Sequence, residues 1–254
     1  MEKYVLITGA STGLGKETAK KLAKEGFKVF VGVRKEKDKL TLEALNPNIT
    51  AIFLDVTEEQ SLNSAAEEIA KTTDTLFALV NNAGIAIGGP VEYIPVDLLK
   101  KQFDVNVFGA IQCAQKFLPF LKKSDDARIV NISSMASYGI FPFVSIKPGV
   151  VATPIWEKSV NFCEQNLEHL CEEGKKKYEK EFEFLMKNAR SNTDKGLKPQ
   201  DIADTVYKAL CAKRPKQSYN VGKDSYFARF VSLLPQGVTN FCIKTALSKR
   251  IKNL

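Results

Sequence analysis

Tyr4-Val-Leu-Ile-Thr-Gly9-Ala-Ser-Thr-Gly13-Leu-Gly15-Lys-Glu-Thr-Ala-Lys-Lys-Leu-Ala-Lys24 decides the fold of this chain. An unbroken apolar run, Tyr4 to Thr8, stops at Gly9 and reads as a strand buried on both faces. From Gly13 to Lys24 the period changes to that of a helix. Leu14, Thr18 and Leu22 share one side with Ala19 and Ala23 beside them, and Gly26 ends the segment as a C′ glycine does. Between the two lie Gly9, Gly13 and Gly15. Their spacing suits a tight turn, a close backbone approach to a diphosphate, and close packing of helix on strand. The helix start then offers free N–H groups and a partial positive charge.

Outward from this unit the alternation repeats. Strands are predicted at Lys28–Val33, Ala51–Asp55, Leu76–Asn81 and Arg128–Ser133, and a last one at Lys216–Val221. Thr57-Glu-Glu-Gln60 has capping-box spacing, a long helix fits Asp97 to Leu121, and Pro199 suits the first turn of a later helix. Apolar strands separated by helices imply a parallel sheet covered on both faces. This is the doubly wound α/β class of dinucleotide-binding folds, read here as a single domain over 1–254.

The 254 residues carry 44% apolar and 26% charged side chains, an ordinary globular balance. The five cysteines (Cys113, Cys163, Cys171, Cys211, Cys242) are scattered without metal-site or redox-motif spacing and read as inert thiols in a reducing cytoplasm. One histidine, His169, leaves no metal cluster to build and reads as a solvated helix residue. The net charge of +8 is spread among glutamates rather than gathered in a stripe, which argues against nucleic acid as a partner. No apolar run approaches the roughly 20 residues that cross a bilayer.

At the end of the second strand, Gly32-Val-Arg34-Lys35 has no acidic residue to bind the two hydroxyls of an adenosine ribose. Arg34 and Lys35 suit a 2′-phosphate instead, so NADP is favoured over NAD.

Three more motifs join the glycine loop: Asn81-Asn82-Ala83-Gly84, Asp104-Val-Asn106-Val107 and Asn131-Ile-Ser-Ser134. Together they make the chain resemble the short-chain dehydrogenase/reductase family over nearly its whole length. Ile146-Lys-Pro148-Gly149-Val-Val151-Ala-Thr153 resembles that family's nicotinamide-side loop. The ending, with Tyr219-Asn-Val-Gly-Lys-Asp224, is similar to the retinol and hydroxysteroid dehydrogenase branch. The resemblance implies that Gly9, Ser11, Gly13 and Gly15 hold the diphosphate and that Asp55 meets the adenine edge. It implies further that Asn82, Ala83 and Gly84 line the adenosine ribose, and that Pro148, Gly149, Val151 and Thr153 fix the carboxamide. Ser134 would bond the substrate oxygen and Asn106 would serve a water relay behind it.

One part of the family pattern is not in the sequence. The family's Tyr and the Lys four residues after it, on a helix beyond the fifth strand, have no counterpart. Four residues after Tyr138 stands Pro142, and Lys147 belongs to the nicotinamide-side loop. From Ser133 to Phe143 no helical period is present. The reading therefore places a lost helix and most of a strand between Ser145 and Ile146, and expects no normal parallel sixth strand. It implies an oxidoreductase for a lipophilic alcohol or ketone that is impaired as written, or a non-catalytic NADP(H)-binding protein.

Residues 154–198 read as a helical, aromatic substrate lid. Residues 237–254 read as an amphipathic basic tail, with Ile243, Leu247, Ile251 and Leu254 on one face. That tail suits a membrane surface, the lid or a partner subunit, including a second copy of the chain.

Overall fold

The computed structural model describes residues 2–87, 94–133, 144–168 and 196–231, together with positions 183, 186, 187, 189–191 and 234. His169, Ser134 and the 237–254 tail lie outside the described residues, as does the middle of the lid, 169–182.

The first unit forms as the sequence dictates. β1 (Tyr4–Ile7) runs into the glycine turn and then α1 (Gly13–Lys24). β2 (Lys28–Val33), α2 (Glu36–Glu43), β3 (Ile49–Phe53), α3 (Glu59–Ala70) and β4 (Ala78–Asn81) follow. Next come α4 (Val96–Phe103), a π-helical turn at Asp104–Phe108, α5 (Gly109–Leu121), β5 (Arg128–Ile132), β6 (Val144–Pro148) and α6 (Ile155–Glu168). The described chain closes with α7 (Pro199–Cys211), β7 (Ser218–Val221) and α8 (Lys223–Val231). The seven strands are all parallel, in the order β3-β2-β1-β4-β5-β6-β7. Among the described helices none is long and apolar enough to cross a membrane.

Two cores flank the sheet. On one face Val5, Ile7, Val31 and Val80 pack with Leu22 and Ala19 of α1 and with Ile202 and Val206 of α7. On the other, Leu6, Phe30, Ile52 and Leu79 pack with Leu62 and Ile69 of α3 and with Cys113 and Phe117 of α5. Alternate residues of one strand therefore feed opposite cores, which is why β1 and β2 read as continuous apolar runs.

Several local expectations shift. The capping box at Thr57 does not form: α3 starts at Glu59, and Thr57 instead turns back to give its amide and hydroxyl to Asp55 Oδ1, at 3.0 and 2.7 Å. The single helix expected over 97–121 is divided by the π-helical turn. α2 has no counterpart in the sequence reading because only Leu42 of it is buried, leaving no apolar stripe to read.

The largest correction concerns β6. It is parallel to β5, with Val130 opposite Val144, Asn131 opposite Ser145 and Ile132 opposite Ile146. Ser145 and Ile146 are consecutive residues of one unbroken strand, which also pairs with β7 through Ser218 and Tyr219. The connection between β5 and β6 is the eleven residues 133–143. The reason it suffices is geometric. β6 starts level with Val130, only two residues before β5 ends, so the net return is roughly 7 Å along the strand and about 5 Å sideways. Eleven residues reach up to about 36 Å, so a parallel return is possible without a full-length crossover unit.

Candidate functional site: a dinucleotide cleft at the strand ends

Because every strand is parallel, all their C-terminal ends fall on one edge, and the chain turns there repeatedly. Beside β1 and β4 the crossings diverge, β1 leading toward β2 and β4 toward β5. A crevice opens at such a point in doubly wound folds.

Gly9 makes the turn out of β1 with φ +62, and a Cβ there would come within 2.7 Å of Ala83 Cα. Gly15 has no room for a side chain either, since a Cβ would meet Asn82 Nδ2 at 2.5 Å and Ala10 Cα at 2.8 Å. The β4 loop is thus pressed against the glycine turn, and hydrogen bonds hold it there. Asn82 Nδ2 donates to the carbonyls of Thr8 and Gly9, both at 2.9 Å. The buried Thr8 hydroxyl oxygen accepts the amides of Asn82 and Ala83, both at 3.0 Å. With those carbonyls tied back, the opening of α1 faces the crevice. Thr12 precedes it in extended conformation without a side-chain cap, and the first turn holds no acidic residue. An uncapped helix start is an unused set of donors at a positive dipole end, which fits a diphosphate.

Arg34 stands just past β2 and Asp55 just past β3. Arg34 Nη1 lies 3.3 Å from Asp55 Oδ2, and the side chains are 71% and 28% exposed. Most of the guanidinium therefore remains open to solvent. Burial alone would raise the Asp55 carboxyl, but the Thr57 amide, the Thr57 hydroxyl and Arg34 outweigh it and hold the group below the usual carboxylate range.

On the opposite side of the crevice, β6 delivers Pro148, and Gly149, Val151 and Thr153 follow. Thr153 is buried, and its Cβ lies 3.5 Å from where a Cβ on Gly13 would be. The two loops, 140 residues apart in sequence, therefore meet across α1's first turn. Trp156 Nε1 donates to the Val151 carbonyl at 2.7 Å. The structure thus gathers Gly9, Ser11, Gly13, Gly15, Asn82, Ala83, Gly84, Pro148, Gly149, Val151 and Thr153 on one strand edge, with the Arg34–Asp55 pair on the β2–β3 side.

Asn106 sits in the π-helical turn. It accepts the Ile85 amide at 2.9 Å and donates to the Ile85 carbonyl at 2.8 Å, using both ends of its amide on one backbone residue. Gly84 lies next to it, 3.5 Å from Asn106 Oδ1 to the Cβ position. One inserted residue in a helix re-aims its side chains, as π-helical turns commonly do near sites. Cys113 lies on the buried face of α5, and burial pushes its thiol up to about 12, so it stays protonated. Cys211 is exposed. Thr8 was not among the residues picked from sequence. Its signal is its place immediately before Gly9 at the end of an apolar strand, where a buried hydroxyl needs a partner.

Comparison with known proteins agrees with this architecture. The family profile described as short chain dehydrogenase matches residues 3–146. A 3-amino-tetrahydro-pyrrolizinone reductase of Xenorhabdus hominickii is 32% identical over 255 residues, covering 88% of each chain. An NADPH-dependent 3-dehydrocapnine reductase of Ornithobacterium rhinotracheale is 30% identical, over 92% of this chain and 93% of the relative. Estradiol 17-beta-dehydrogenase 2 of Rattus norvegicus is 29% identical, over 98% of this chain and 76% of its own length. The crystal structure of a 3-ketoacyl-(acyl-carrier-protein) reductase from Brucella melitensis complexed with NADH superposes with a TM-score of 0.68 at 22% identity, covering 88% of this chain and 98% of that one. With its seven parallel strands, its glycine turn and the profile match over more than half its length, the chain belongs to the short chain dehydrogenase family.

Proposed function

We propose that this chain binds a nicotinamide dinucleotide, NADP(H) in preference to NAD(H), and that its turnover as a short-chain oxidoreductase of a lipophilic alcohol or ketone is strongly reduced. The observation that carries the reading is the meeting of the uncapped α1 start with the Pro148–Thr153 turn on one strand edge. When bound, the dinucleotide supplies or accepts the hydride. The amides opening α1 neutralise its diphosphate, and Asn82 keeps their turn in shape. Arg34, with most of its guanidinium exposed, pairs with a 2′-phosphate, while Asp55 holds it at the end of β2. Pro148, Gly149, Val151 and Thr153 orient the nicotinamide end, and Asn106 positions the Gly84–Ile85 backbone beside it. The name of the Ornithobacterium relative supports NADP(H), and that of the rat relative supports a lipophilic substrate. Trp156 and the buried Val160 start the proposed lid.

Reduced turnover follows from the connection 133–143. It brings no Tyr with a Lys four residues later, and a missing general acid/base costs about 10²–10⁴ in rate. The match to the Xenorhabdus relative runs over 255 residues yet takes in 88% of this 254-residue chain, so this chain has gaps somewhere within the match. The same absence favours a second reading, a protein that binds NADP(H) without chemistry. Titrating NADPH and NADH by nicotinamide fluorescence, then measuring turnover on steroid and long-chain alcohols, separates the two. Tight NADPH binding with turnover about 10²–10⁴ below that of a relative supports the first reading. Binding with none at all selects the second, and no binding of either dinucleotide overturns both.

A further inference from the structure

The turn after β6 is gripped from a helix that the sequence places 75 residues away. Asp224, in the first turn of α8, accepts the Val150 amide on Oδ2 at 2.6 Å and the Ser225 amide on Oδ1 at 3.0 Å. The next side chain, the buried Ser225, donates its hydroxyl to the Lys147 carbonyl at 2.8 Å. The Gly149 amide donates to the Val221 carbonyl at 2.8 Å. Lys147, Gly149 and Val150 are thus all fastened to the β7–α8 junction. The carboxylate also lies where a side chain on Gly149 would go: a Cβ there would fall 1.9 Å from Asp224 Oδ1 and 2.2 Å from both Cγ and Oδ2. Gly149 is glycine because Asp224 occupies its side-chain space. With the Val150 amide committed to Asp224, the Val150 carbonyl and the Ala152 amide pair with the Leu197 backbone at 2.8 and 2.9 Å, and Thr153 reaches the glycine turn.

We infer that Asp224 is a positioning residue for the nicotinamide end of the cleft, setting the Pro148–Val151 turn by clamping the Val150 amide beneath a residue that must be glycine. The inference rests on the dinucleotide reading above, and it assigns a role to α8 that no loop motif carries. A charge-assisted bond of a carboxylate to a backbone amide is among the stronger hydrogen bonds in proteins.

The test uses the full chain and two ligands: NADPH, and 2′,5′-ADP, which has the adenosine half only. Asp224→Ala is expected to weaken NADPH binding about tenfold or more and to alter nicotinamide fluorescence in the complex, while 2′,5′-ADP binds as in the parent. Gly149→Ala, which drives a methyl into the carboxylate, is expected to reproduce this and to lower the melting temperature. In the Gly149→Ala/Asp224→Ala double variant the two effects are less than additive, because the clash is gone. Unchanged NADPH affinity in Asp224→Ala overturns the inference. So does a parallel loss of 2′,5′-ADP affinity, and so does full additivity of the two substitutions in melting temperature. If the parent binds neither ligand, the dinucleotide reading falls and takes the nicotinamide role with it. The melting-temperature cycle reads the clamp itself independently of any ligand.

Discussion

The two halves of the sheet are built differently. In β1, β2 and β4 every residue but the first of β1 and β2 is buried, and helices cover both faces. In β6 the pattern alternates: Val144, Ile146 and Pro148 are buried, while Ser145 and Lys147 are only partly so, and all four residues of β7 are partly exposed. Val144 and Ile146 join the core under α1 and α7; Ser145 and Lys147 alternate with them and are only partly buried. A parallel strand covered on both sides can be apolar throughout, whereas one covered on a single side must alternate. The β1–β2–β4 half thus rests on hydrophobic packing from two directions, while the turn after β6 is held in addition by the clamp at Asp224.

The sharpest way to break this contrast is a pair of core substitutions. Leu79→Ala in β4, fully buried between α3 and α5, is expected to cost about 2–5 kcal/mol. Ser145→Ala in β6 is expected to stay within about 0.5 kcal/mol. Denaturant midpoints measure both, and equal costs would erase the distinction. A smaller effect is expected at the junction of the two halves. Asn82→Ala removes both bonds to the Thr8 and Gly9 carbonyls, costs about 1–3 kcal/mol, and weakens NADPH and NADH binding alike.

The smallest effect concerns selectivity. Arg34→Ala is expected to weaken NADPH about three- to tenfold and NADH little, a difference that shrinks with added salt. Its pH signature follows from Asp55. That carboxyl is held low in the folded chain, so the stability it lends is full above its unfolded value of about 3.9 and is lost as pH falls through the lowered folded value. Removing Arg34 raises the folded value, so in the variant this loss starts at a higher pH. Acid-unfolding curves of parent and variant that coincide would remove Arg34 as a partner of Asp55.

Much of this was legible along the chain. The glycine turn, α1, β2 and the Pro199 helix start stand where periodicity and turn chemistry put them, because each is a local pattern of period two or 3.6 closed by glycine or proline. The convergence of the strand-end loops follows from parallelism alone. Other features left no local trace. The π-helical turn at Asp104–Phe108 is a single-residue change of register inside an otherwise helical pattern. The Asp224–Gly149 contact joins residues far apart in sequence, so neither shows its reason without the other.

The amino-acid order by itself determined the layered parallel fold and the glycine turn between β1 and α1, since both come from hydrophobic period and from where glycine stands. It misjudged β6, because a rule about typical crossover length says nothing of how far the returning strand must overlap. Only the folded chain decided that three paired positions suffice, that Arg34 leans on Asp55, and that an α8 carboxylate fills the space over Gly149. Those are distances between segments remote in sequence, set by packing around two cores.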